Sequence, residues 1–244
     1  MNTSPTNLIA EERTFLSPAL LQPGVARRSG LAGLILQAAV IFPFVVLIAL
    51  SASLPSHLAR RMENAGPLIP VGLLAISCIV GGALWARRLA RIVGMSEPAR
   101  LGWAGAIVYA PSLIAAVFLL NEGEKYFVEG PGQALVPVHV AFAILFTLAA
   151  VIVTALLGGA LGIAARNGRL AARLALFGGA TAGLTFLAAD IVQHWLGRHV
   201  GGPNAAATAT MLTVMLVGNI LAAVAASAVI GALLKQHVSA QTNN

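Results

Sequence analysis

The chain has 244 residues, 58% of them hydrophobic and 9% charged, so it has too few charges to cover a water-soluble core; soluble domains carry about 25% charged residues. Its formal charge of +7 rests on arginines that border apolar stretches without forming a continuous basic groove, which argues against nucleic-acid binding. A mean hydropathy of +0.87 and apolar blocks of about 20 residues, the length that about 30 Å of hydrocarbon requires, point to an all-α polytopic transmembrane helical bundle.

Residues 1–29 contain Ser4-Pro5, Ser17-Pro18, Pro23 and an amphipathic piece from Leu8 to Leu21. They read as a cytoplasmic tail lying on the membrane or on a partner. No apolar core follows a basic amino-terminal region, so a cleavable signal peptide is not expected. Residues 30–234 are expected to form the membrane domain and 235–244 a short cytoplasmic tail. The six predicted spans lie near 30–53, 68–86, 101–120, 135–164, 171–195 and 206–234. The fourth and sixth exceed the hydrocarbon thickness and must tilt or project beyond it.

The first span holds Gln37 and Pro43, and the second holds Cys78, a small packing residue, with Trp85 at its end. Trp85, together with Trp103 at the start of the third span, is expected in the headgroup belt, where an indole keeps one edge wet. The third span carries Tyr109, Pro111 and Ser112; a proline inside a helix removes a donor and crowds the carbonyl one turn back. The fourth and fifth spans carry two small-residue motifs, Gly158 with Gly162 and Gly179 with Gly183. Since lipid is as apolar as leucine, such faces bring helices together by close approach. The sixth span adds Gly218, Ala222, Ala225, Ala226 and Gly231, and near its middle Asn219, an amide that needs partners at membrane depth.

Six spans put both termini on one side. Arg13, Arg27, Arg28, Arg87, Arg88, Arg91, Arg100, Arg166, Arg169, Arg173 and Lys235 fall on that side, against Arg60, Arg61, Lys125 and Arg198 on the other. This bias over short loops predicts that both termini are cytoplasmic, in an inner membrane.

Asp190 is the one carboxylate within a span, and a carboxylate there must face protein, water or a partner. His194 follows one helical turn later, close enough for a carboxylate–imidazole bond. Asp190, His194, Asn219 and Tyr109 are the candidates for a substrate or proton pathway. His57, His139, His194 and His199 all map to the outer side, and His139 with His194 is the candidate pair for a metal or haem. No HxxxH or HExxH spacing supports them, and no cofactor is predicted.

Phosphate-loop, GxSxG and CxxC motifs are missing, so the chain is not itself an ATPase and no hydrolase or dithiol chemistry is indicated. The leading expectation is a transport-related or scaffold subunit, permease-like, whose partners are the bilayer and other membrane subunits or further copies of itself. A membrane redox subunit using the outer histidines and Asp190 is one alternative, and a stand-alone small-solute permease is another.

Overall fold

The computed structural model describes residues 23–53, 68–127, 130–200 and 205–242. The tail up to residue 22 and the loop with His57, Arg60 and Arg61 lie outside the described residues, as do the side chains of His139 and His199. The described chain is all-α. Its membrane helices are α1 (Pro23–Ser53), α2 (Leu68–Val93), α3 (Pro98–Phe127), α4 (Val138–Ala164), α5 (Gly168–Val200) and α6 (Ala205–Thr242). A single 3₁₀ turn, Pro131–Ala134, precedes α4. All six are long and apolar enough to cross a bilayer, and the protein is a multi-pass membrane protein.

Five of the six helices outrun their predicted spans, α6 continuing to Thr242 through most of the expected tail, whereas α4 starts three residues later than expected. Helix α1 begins at Pro23 and takes in Arg27 and Arg28, which were expected in the tail, while α2 continues through Arg87, Arg88 and Arg91 to Val93. Apolarity sets the depth of a span, but the helix runs on until its backbone is capped. At Val93 the cap is a Schellman turn: Gly94 takes φ +82°, and the Met95 and Gly94 amides donate to the carbonyls of Ala90 and Arg91 at 2.9 and 3.3 Å. Lys235 of α6 donates to the Val93 carbonyl at 3.4 Å, placing a cation at the negative end of the α2 dipole.

Helix α4 ends in the same motif with Arg166 in the left-handed position, φ 57°, and Asn167 donating to the Gly162 carbonyl at 3.1 Å. Asn167 then starts α5, its Oδ1 accepting from the Leu170 amide at 2.9 Å. One residue thus ends one helix and caps the next. Asn167→Ala is expected to cost about 1 kcal/mol, seen as a lowered unfolding temperature in detergent with an unchanged helical spectrum.

Each helix packs against its neighbours in sequence, and α6 returns to α1, closing the six into a ring. Glycine sets the closest crossings. A Cβ on Gly82 of α2 would strike the Gly105 carbonyl of α3, and a Cβ on Gly105 would strike that of Gly82, so the two backbones touch. Gly33 of α1 lies against the Ala223 carbonyl and Ser227 of α6, and Gly231 of α6 lies against Ser29. Large apolar side chains such as Ile107, Phe118, Ile163 and Leu184 point outward, as lipid permits. Among the described residues, the fully buried large side chains gather toward the 94–97 and 165–167 turns: Leu89, Val93, Leu101, Leu161, Leu174 and Leu234 plug that end.

Trp85 corrects an expectation. It is 1% exposed, inside the ring, where its Nε1 donates to Ser227 Oγ at 3.0 Å. Its height along the helix suits the headgroup belt, but its azimuth points inward, where a hydroxyl supplies the partner that water would otherwise give. Trp103, by contrast, is 70% exposed on the outer surface.

Candidate functional site

Above the plug the ring encloses a chamber of about 300 Å³, partly open, to which all six helices contribute lining residues. On α6 its wall runs from Leu216 to Ile230, about 21 Å of helix. Small residues make the room: Ala149 and Ala150 on α4, Ala182 on α5, and Ala222, Ala223 and Ala226 on α6. Helices whose inner faces carry alanine leave space on the axis once their flanks have packed. Trp85, with Ser227 and Ile230, lines the end nearest the plug.

The polar groups of the wall come from four helices. Gln37 of α1 donates from Nε2 to the Asn219 carbonyl of α6 at 3.1 Å. That is its single hydrogen bond within the described protein, so its amide oxygen remains for a ligand. Tyr109 of α3 reaches past α2 and donates from its hydroxyl to the Leu36 carbonyl of α1 at 2.9 Å. Gly82 makes the reach possible, since a Cβ there would crowd the Tyr109 Cβ at 2.8 Å. Ser112 Oγ turns back to the Tyr109 carbonyl at 2.8 Å. Thr154 of α4 and Ser227 of α6 complete the polar lining, and among the described residues no charged side chain is part of it. Such a wall is mostly apolar with a few fixed dipoles, the usual composition of a small-molecule pocket.

Pro43 and Pro111 both lie within continuous helix, and Pro111 is followed along α3 by the lining residues Leu113, Ala116 and Val117. Of the four pathway candidates, the fold brings Tyr109 and Asn219 to the chamber. Asp190 and His194 stand elsewhere, a turn apart near the far end of α5, half-buried and exposed respectively, and both have partners within the protein. Among the described residues no three His, Cys, Asp or Glu side chains group as metal ligands.

The four packing glycines share one interface. Gly158 and Gly162 of α4 face Leu174 and Ala171 of α5, and Gly179 and Gly183 of α5 face Val151, Ala155 and Thr147 of α4. Sequence reasoning missed the Gly82–Gly105 crossing and the Trp85–Ser227 bond. Gly82 and Gly105 lie on different helices and so form no GxxxG with each other, and Trp85 and Ser227 are 142 positions apart.

Comparison with protein-family models, with curated proteins and with solved structures yields no match.

Proposed function

We propose that the chain is a permease-like component of the cytoplasmic membrane, with its basic end inside, and that the chamber receives a small uncharged solute with one or two hydrogen-bonding groups. The observation that carries this reading is the uncharged chamber that all six helices line, with the Gln37 amide oxygen left for a guest. A charged guest would be desolvated there with no countercharge, at a cost of several kcal/mol. A scaffold that acted only through its lipid-facing surfaces would have no use for an axial space of this size. Asp190 and His194, outside the chamber, belong to the reading as a candidate polar stop on the approach from the far end.

The sole cysteine, Cys78, is buried, which makes accessibility measurable. In a Cys78→Ala background, Ala150→Cys and Ala223→Cys are expected to react with the small, uncharged methyl methanethiosulfonate, because the chamber admits water and an uncharged guest. Leu184→Cys, on the lipid-facing surface, should stay inert. Chamber cysteines as inert as Leu184→Cys would sink the proposal.

A further inference from the structure

We propose that a second cavity, the outward groove between α2 and α3, is a binding site for one anionic phospholipid, with its phosphate at Arg87 and an acyl chain along the groove. The groove has a volume of about 440 Å³ and opens on the surface that the bilayer covers. It exists because its floor is small: Ala83 on α2 and Ala99, Gly102 and Ala106 on α3 leave a concavity where the two helices cross closely at Gly82 and Gly105.

Its polarity follows the order of a phospholipid. Toward the membrane interior the walls are Ile79, Val80 and Leu84, and toward the basic end they are Arg87 and Trp103. From Ile79 to Arg87 is about 12 Å of helix, enough for the upper part of an acyl chain. The methylenes of Arg87 occupy the space that a Cβ on Gly102 would fill, so this long side chain is ordered by packing before a lipid arrives. Among the described residues no carboxylate pairs with Arg87, whereas Arg100 nearby is engaged by Glu97 at 3.5 Å. Arg88 and Arg91, exposed on the same helix end, add positive potential where a phosphate would lie. A guanidinium binds phosphate with paired N–H groups, and an exposed indole N–H at membrane-surface level adds a donor to the glycerol or phosphate oxygens. A zwitterionic lipid fills the groove equally well, but its own cationic headgroup opposes the three arginines.

The test uses the full chain in detergent, titrated with dioleoyl phosphatidylglycerol or dioleoyl phosphatidylcholine and read by native mass spectrometry. Wild type should retain phosphatidylglycerol in preference to phosphatidylcholine, and glycerol phosphate should not displace it. Arg87→Gln should weaken phosphatidylglycerol retention by about fivefold and leave phosphatidylcholine unchanged, which also reports intact folding. Arg169→Gln, at the other basic turn, should change neither. Ala83→Phe should fill the groove and lower retention with Arg87 intact; if that variant does not fold, the comparison of Arg87→Gln with Arg169→Gln decides. Equal losses for those two variants, or equal retention of the two lipids by wild type, would overturn the proposal.

Discussion

Gly82→Leu is expected to destroy the bundle, whereas Gly72→Leu on the same helix should be nearly silent. At Gly82 the opposing atoms belong to the Gly105 backbone and the Tyr109 Cβ, none of which can swing aside as a flexible side-chain tip would. At Gly72 nothing lies within 4 Å. Overpacking a well-filled site costs about 1–3 kcal/mol, and a backbone-to-backbone crossing stands at or above the top of that range. Separating α2 from α3 would also pull the Tyr109 hydroxyl from the Leu36 carbonyl, loosening a tie across the ring. The measurement is the fraction of each variant that survives heating in detergent as a single monodisperse species. If Gly82→Leu survives as well as Gly72→Leu, the close crossing is not what holds α2 to α3.

Trp85→Ala should be the costliest substitution at the chamber. The indole is 1% exposed, and its N–H satisfies Ser227. In water, Trp→Ala in a core costs about 3–5 kcal/mol. In a bilayer the unfolded side chain also rests in an apolar medium, so the transfer part shrinks while the lost packing remains. A value near 3 kcal/mol is therefore expected. Trp85→Phe keeps most of the volume and should lose about 1 kcal/mol for the hydrogen bond. A cycle with Ser227→Ala isolates that bond: Trp85→Phe in the Ser227→Ala background should then cost measurably less than in wild type. Additive losses would show that the indole acts only by filling space.

Hydropathy, the arginine distribution and the small-residue motifs are properties of single segments, and they were legible in the sequence. The six spans could be read because each satisfies its own backbone hydrogen bonds, so a membrane helix is defined before it meets a neighbour. Its ends were less legible. Val93 is capped by Gly94 and by Lys235 from another helix, so the apolar limit at residue 86 falls two turns short. Tyr109 and Asn219 could be singled out because polar groups in mid-membrane need partners. Which partners they take depends on the direction each helix face points, and Trp85 shows the error that follows when height is known and azimuth is not.

By itself the sequence determined the class, the number of spans and the position of each polar group along its helix, because burial in lipid is decided segment by segment. Only the tertiary structure decided that α6 closes on α1, that glycines more than twenty positions apart bring α2 and α3 into backbone contact, and that Gln37, Tyr109 and Asn219 share an uncharged chamber while Asp190 and His194 stand outside it. In a bilayer no hydrophobic force selects the faces that meet. Close packing and interhelical hydrogen bonds do so, and both depend on geometry between segments that no single segment contains.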